Sequence, residues 1–279
     1  QKGEVMSKAN PLVFTGPPGG ADVLARARID VVSTANNHAW DYGKRAMEET
    51  LANLDRVGVA HVGTSAEPGV EPKPVVVVRG GFRLGFLAFT GIWNQGPLEK
   101  HEARAFVAGA SRDAIASAVK KLAASGTTDA IAVSLHAGEE YQDRPLAGVQ
   151  EMARAAIEAG AHAVIGHHAH VMQGVELVQG RPIFYGLGNF VMRMHRDHRW
   201  TELGLVARIR FRADGPPEAW VCPVRIDGAE PEPLTASPSR AALERLAFDH
   251  LRAITAAASN GTTSVGPAAQ DGCAPVSGR

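Results

Sequence analysis

Several absences narrow this chain before any motif is considered. No stretch reaches the roughly 18 apolar residues that a membrane-spanning helix requires, and no signal-peptide pattern stands at the front. Neither sign of charge dominates: Lys+Arg and Asp+Glu number 29 each, so no global field favours nucleic acid or an anionic membrane. Cysteine is nearly missing. Cys222 and Cys273 stand far apart and read as neither a disulfide framework nor a thiolate metal site, which leaves the redox compartment unread. No internal repeat stands out. Acidic residues are scarce at the front, where only Glu4, Asp22 and Asp30 precede Asn37.

What is present is a soluble globular composition, 45% hydrophobic and 21% charged over 279 residues, ample for a real core. The chain opens on Gln1 and a polar stretch, QKGEVMSKANP, and the expectation is a chain incomplete at its N-terminus. Residues 1–20 read as loop, with Pro11, Pro17-Pro18 and Gly19-Gly20 as breakers. A short helix is predicted over Ala21–Arg28 and a buried strand over Ile29–Thr34. An amphipathic helix over Arg45–Val57 follows, with Met47, Leu51, Leu54 and Val57 at helical spacing.

Runs at Pro74–Arg79 and Arg83–Thr90, parted by Gly80-Gly81, carry a hairpin signature. Trp93–Val107 is irregular and lies where an active-site loop could. Ser111 caps a helix through Leu122, and a strand over Asp129–Leu135 ends at His136. A helix over Leu146–Glu158 and a strand over His162–Ile165 come next. Strands at Pro182–Leu187, Leu203–Phe211 and Trp220–Ile226 and a helix over Ser239–Ala257 complete the pattern. From Ser259 the composition turns to Gly, Ser, Thr, Ala and Pro, and residues 259–279 read as a disordered tail after a domain over 1–258. The alternation predicts a layered α/β fold, in which ligands sit beyond the carboxyl ends of strands.

Three βα units end in metal-capable groups: Asn36-Asn37-His38, His136, and His167-His168-Ala169-His170. A fourth strand runs into Gly186-Leu187-Gly188-Asn189-Phe190. The His-rich stretch alone is as consistent with a surface loop, with Gly166 supplying permissive dihedrals. Three units delivering such groups to one edge point to a convergent site, whose imidazole and amide donors suit Zn, Mn, Fe or Ni. Gly186-Leu187-Gly188 lacks the spacing of a dinucleotide fingerprint, and nothing marks Ser134 as an activated nucleophile. The cluster His195–Trp200 reads as solvated loop, and Trp40, Trp93 and Trp200 as core packing before groove lining.

The segments VVSTANNHAWDYG (31–43), VSLHAGEEY (133–141), GAHAVIGHHAHVMQGVE (160–176) and PIFYGLGNFV (182–191) together resemble the CapA-type capsule-synthesis proteins. Those belong to the metallo-dependent phosphatase-like (calcineurin-like phosphoesterase) superfamily, and the resemblance runs from about Phe14 to Phe211. It implies a β-sandwich flanked by helices (α/β/β/α), here with its first strands missing, and a metal centre at the strand ends. On that resemblance Asn37, His136 and His168 ligate one ion and His170 a second, with His38 as the acid/base group; His167 is left to the loop. Glu140 and Asn189 stand near substrate or behind the ligands. Asp41 either holds His38 in one tautomer or caps the helix starting near Lys44. The bridging carboxylate of the superfamily has no counterpart, so one firmly held ion is expected rather than two.

The resemblance further implies a divalent metal (Zn, Mn or Fe; one or two ions) and a place in the cell envelope. Its substrate would be an anionic polymer such as poly-γ-glutamate, or a phosphoester or peptide. Capsule synthase subunits would be partners; nucleic acid would not, and a membrane anchor is not part of this chain. The leading expectation is a metal-dependent hydrolase of capsule biosynthesis. The alternatives are a non-catalytic scaffold or polymer-binding subunit, and a metal-dependent peptide epimerase.

Overall fold

Hydrophobic spacing and turn chemistry shape the elements that carry the predicted motifs. The structure, a computed structural model, describes residues 12–69, 72–94, 101–192, 200–236 and 241–278. Glu4, residues 195–199 of the polar cluster and the predicted helix start at Ser239 lie outside the described residues. The architecture is mixed α/β, as expected, in two compact units, Gln1–His136 and Ala137–Arg279.

In the first unit, α1 (Gly20–Arg26) packs against α2 (Gly43–Val57) through Ala21, Leu54 and Val59. Met47, Leu51 and Leu54 recur at helical spacing and give α2 its buried stripe. Helix α2 links β1 (Val31–Ser33) to the parallel strand β2 (Ala60–Val62), with Val31 opposite Ala60. Strands β3 (Val75–Arg79) and β4 (Phe82–Thr90) form the predicted hairpin. Gly80 and Gly81 both take positive φ, 57° and 83°, as its two-residue turn requires.

Ser111 caps α3 (Arg112–Ala124), its Oγ accepting the Ala114 N–H at 3.1 Å. The helix leads to β5 (Ala130–His136), parallel to β4 and registered so that Thr90 lies opposite His136. Matched register brings the carboxyl ends of β4 and β5 to one level. A core of Ala35, Trp40, Met47, Val62 and Phe106 lies beneath the Asn36–His38 turn, with Trp40 stacked on Phe106 at 5.1 Å.

In the second unit, α4 (Ala147–Glu158) precedes β6 (Ala163–His167). Strand β6 runs two residues beyond its expected end, so His167 belongs to the strand and not to the loop. Strands β7 (Val175–Val178) and β8 (Arg181–Phe184) pair antiparallel, and β8 pairs parallel with β6. Gly166 is not the permissive hinge expected of it. A Cβ there would lie 2.0 Å from the Tyr185 carbonyl oxygen, so glycine serves close strand approach. The positive φ angles fall on His168 (100°) and His170 (58°).

The second sheet of this unit is built on β10 (Glu218–Asp227), flanked by β9 (Leu203–Arg210) and by β11 (Glu230–Pro233). Helix α5 (Ala241–Ala258) buries Ala247, Phe248, Leu251 and Ile254 with Leu203, Leu205 and Val221. The expected tail is ordered. Strand β12 (Thr263–Val265) pairs with β13 (Ala274–Gly278), and β13 pairs with β10. Its composition is poor in large apolar residues, yet Val265, Cys273 and Ala274 are buried and β10 satisfies the backbone of β13. The cysteine reading is corrected with it: Cys222 and Cys273 form a disulfide that clips β13 to β10.

A partly buried network ties α4 to the β7–β8 pair. Arg154 donates Nε–H and Nη2–H to Glu176 at 3.0 and 3.1 Å, and the Tyr185 hydroxyl donates to the same carboxylate. Burial and that negative charge push the Tyr185 phenol up.

Two stability predictions follow from these ties. Closing 51 residues, the disulfide should contribute about 2–4 kcal/mol; thiol titration of the unfolded chain should find no free cysteine, and C222S/C273S should lower the melting temperature, whereas free thiols would contradict it. Glu176→Ala should cost about 2–3 kcal/mol in urea unfolding, because it leaves Arg154 and the Tyr185 hydroxyl uncompensated. Tyr185→Phe should cost about 1 kcal/mol; equal, negligible losses would show the network idle.

Candidate metal and acid–base site

The turn after β1 sorts three consecutive polar side chains by partner. Asn36 Oδ1 accepts the His38 backbone N–H at 2.8 Å, an Asx-type bond that bends the chain. That bend sends Asn37 and His38 in different directions. Buried Asn37 reaches the end of β5, where its Oδ1 meets His136 Nε2 at 2.9 Å. Its Nδ2 donates to Asn94 Oδ1 at 3.0 Å.

His38 turns to Asp41, with Nδ1 2.7 Å from Asp41 Oδ2. The same oxygen accepts the Phe14 N–H at 2.9 Å, and the Phe14 ring meets the imidazole edge-on at 4.5 Å. A carboxylate oxygen accepts, so His38 carries its proton on Nδ1 and presents Nε2 outward. Asp41 is 1% exposed and its Oδ1 has no hydrogen-bond partner among the described residues. Of the two readings of Asp41, helix capping is not realised: the N-cap of α2 is Tyr42, without a side-chain bond. A recess of about 220 Å³ opens beside this pair, lined by Ser33, Thr34, Asn36, His38 and Asp41.

In the second unit the sequence brings His170, Asn189, Glu140 and Tyr141 together. His170 Nδ1 lies 2.7 Å from Asn189 Oδ1, and Asn189 Nδ2 donates to the Thr201 carbonyl at 3.1 Å. The Asn189 carbonyl therefore holds the proton on Nδ1 and leaves Nε2 of His170 as the free lone pair. Glu140 Oε1 is 4.0 Å from that nitrogen, and the Tyr141 ring lies over His170 at 6.1 Å. Desolvation, then the adjacent Glu140 charge, raises the Tyr141 phenol. The His168 ring is 6.2 Å from that of His170. Burial pushes His167 down to about 4, so it stays neutral at ordinary pH.

Tyr141, His168 and His170 all hold positive φ (63°, 100° and 58°). Such residues cost of order 1–3 kcal/mol each, and persist where the surroundings impose them.

Two donors held about 2.1 Å from one ion at a right angle stand about 3.0 Å apart. Asn37 Oδ1 and His136 Nε2 stand at 2.9 Å, close to that separation and equally the length of the direct hydrogen bond in which Nε2–H donates to the amide oxygen. A neutral amide oxygen with imidazole suits a divalent transition ion, and the Asn189-locked tautomer of His170 is the form that ligates. His170 thus offers a lone pair to an ion, whereas His136 as placed gives its Nε2–H to the Asn37 oxygen and would ligate only as the Nδ1-protonated tautomer. Among the described residues no group of three or more His, Cys, Asp or Glu is arranged to hold one. Asn36, expected as part of a metal-capable group, instead shapes the turn; Asn94 carries no signal in the sequence beyond its place in the irregular segment after β4.

The chain matches the family model described as bacterial capsule synthesis protein PGA_cap over residues 1–194. It is 32% identical over 221 residues to the PGA biosynthesis protein CapA of Bacillus subtilis (strain 168), covering 76% of this chain and 55% of that protein. It is 30% identical over 219 residues to the capsule biosynthesis protein CapA of Bacillus anthracis, covering 77% of this chain and 52% of that protein. The chain therefore spans about half the length of these curated relatives. A solved calcineurin-like phosphoesterase, YfkN of Bacillus subtilis, aligns with a TM-score of 0.45 at 15% identity, covering 76% of this chain and 63% of that one; a likeness at that level carries no functional information. With four motifs in family order and a family match over most of its length, the chain belongs to the bacterial capsule synthesis protein PGA_cap family.

Proposed function

We propose that this chain is the metal-binding, hydrolase-type part of a capsule or poly-γ-glutamate biosynthesis protein working in the cell envelope. The observation that carries the reading is the meeting of Asn37 Oδ1 and His136 Nε2 at 2.9 Å beside the His38–Asp41 pair. Asn37 and His136 would hold a divalent ion in the first unit, and His168 and His170 offer imidazole in the second. Such an ion, when bound, supplies Lewis acidity toward a phosphoryl or carbonyl oxygen and acidifies water.

The chain's own groups supply the proton. Asp41 holds the His38 ring by Nδ1, leaving Nε2 as the atom that would pass a proton to a leaving group. Glu140 and Tyr141 line the approach to His170 and would orient substrate. The curated relatives are named for capsule and PGA biosynthesis, which supports a role with such a polymer; an anionic polymer would be the substrate and capsule synthase subunits the partners. The Cys222–Cys273 disulfide supports a place outside the reducing cytoplasm. Among the described residues no helix is long and apolar enough to cross a membrane.

A second reading, a non-catalytic polymer-binding or scaffold subunit, is favoured by one observation: Asn37 and His136 satisfy each other in a direct hydrogen bond. Complementation separates the two. In a capsule-producing host lacking its own relative, the hydrolase reading predicts that His38→Ala abolishes polymer production while the protein accumulates normally; undiminished polymer would favour the scaffold. For the ion, elemental analysis of the purified chain should find Zn, Mn or Fe, lowered at least about tenfold in occupancy by Asn37→Ala or His136→Ala. Unchanged metal content in both variants would remove these residues from the site.

A further inference from the structure

Asn94 has no part in any of the motifs, yet its one side chain touches both Asn37 and His38. We propose that Asn94 is the positioning residue of the site, which turns the Asn37 carbonyl oxygen toward the ion and confines the His38 ring. The inference rests on the metal reading given above for its consequence, but its geometry is independent of it.

The physical problem lies in the asparagine amide. Its oxygen and its nitrogen are nearly the same in shape and opposite in chemistry, and only the oxygen can ligate. What decides which end faces forward is the pair of partners, His136 in front and Asn94 behind. Only Asn94 remains to hold the amide once His136 has given up its Nε2 proton to ligate. Asn94 Oδ1, an acceptor without a proton, lies 3.0 Å from Asn37 Nδ2. The other end of the Asn37 amide is its oxygen, 2.9 Å from His136 Nε2. Rotating Asn37 by half a turn would set two carbonyl oxygens against each other and present an NH₂ group to His136. Asn94 thereby selects the ligating orientation.

Toward His38 the same side chain acts differently. Asn94 Nδ2 stands 3.2 Å from His38 Nδ1, while Asp41 Oδ2 stands at 2.7 Å from that nitrogen. A ring N–H cannot serve a second donor, and the shorter bond to an ionised carboxylate is the stronger. The Asn94 amino group is therefore a wall beside the ring rather than its partner. Asn37 and His38 are adjacent in sequence and diverge at the Asn36 bend, and the one Asn94 side chain reaches both.

The frame behind Asn94 is firm. It follows β4, whose last residue, buried Thr90, accepts the Ile92 N–H at 3.2 Å and donates to the Ile92 carbonyl at 2.9 Å. Thr90 is registered opposite His136, so the segment bearing Asn94 and the strand bearing His136 leave from one level. The Arg104 guanidinium covers the neighbouring Trp93 ring at 4.8 Å.

The test uses the whole 279-residue chain, labelled with ¹⁵N-asparagine, in wild-type, Asn94→Leu, Asn94→Ser and Asn94→Asp forms. Leu keeps the bulk without the amide, Ser is too short to reach, and Asp keeps the acceptor. In the metal-free protein, the Asn37 side-chain NH₂ resonances should move toward those of solvent-exposed amides in Asn94→Leu and Asn94→Ser, and stay near their wild-type positions in Asn94→Asp. Calorimetric affinity for Mn²⁺ and Zn²⁺ should fall about tenfold or more in the first two and be retained in the third. Asn37 resonances unmoved in Asn94→Leu and Asn94→Ser, or a shift in Asn94→Asp equal to theirs, would overturn the proposal. If Asn94→Leu does not fold, Asn94→Ser and Asn94→Asp carry the comparison. If the wild-type chain binds neither ion, the metal reading fails, and the Asn37 resonances alone decide whether Asn94 positions it.

Discussion

The site of the first unit depends on one contact, between the amide oxygen of Asn37 and the imidazole of His136, residues 99 positions apart in the chain. Neither side chain has a reason to be there on its own. Asn37 arrives because Asn36 folds the chain after β1 through its bond to the His38 N–H, over a floor that includes buried Trp40. His136 arrives because β5 pairs in parallel with β4 and ends at the same level. A one-residue slip in that pairing would turn His136 to the opposite face of the sheet and remove it from the site. The meeting of these two side chains is thus a consequence of strand register.

In the second unit the equivalent constraint is local strain. His168 and His170 occupy left-handed backbone, and Tyr141 does too. The surroundings hold them there: the Ala169 carbonyl accepts the Tyr141 N–H at 2.7 Å, Asn189 fixes His170, and the glycine at 166 lets β6 lie against the chain at Tyr185. Beneath lie a well-filled core and two cross-links of different kinds, the Arg154–Glu176–Tyr185 network and the Cys222–Cys273 bridge.

Much of this was legible in the sequence, and the rest was not for identifiable reasons. The hairpin at Gly80-Gly81, the cap at Ser111 and the apolar stripe of α2 are local signals, and local signals survive in a single sequence. The fold class followed from alternating elements, and the family from four ordered motifs. The C-terminal strands were missed because β12 and β13 are held by pairing with distant β10 and by a disulfide, neither of which composition reveals. His167 was placed in the loop and Gly166 at a hinge because strand ends depend on which neighbour pairs with them. Asn94 was invisible because an isolated asparagine in an irregular segment looks like any turn residue until Asn37 and His38 are placed around it. Asp41 lay between: its spacing from His38 suggested either of two roles, and only the 2.7 Å bond and the uncapped start of α2 separate them.

The central claim is that Asn37 and His136 are two ligands of one divalent ion. Anomalous scattering from a crystal of the chain grown with Mn²⁺ or Zn²⁺ tests it most directly. The account predicts a peak about 2.1 Å from both Asn37 Oδ1 and His136 Nε2, with the Asn37 amino group still facing Asn94. A crystal saturated with the ion that shows no peak between those two atoms, or shows it bound only elsewhere, would contradict it.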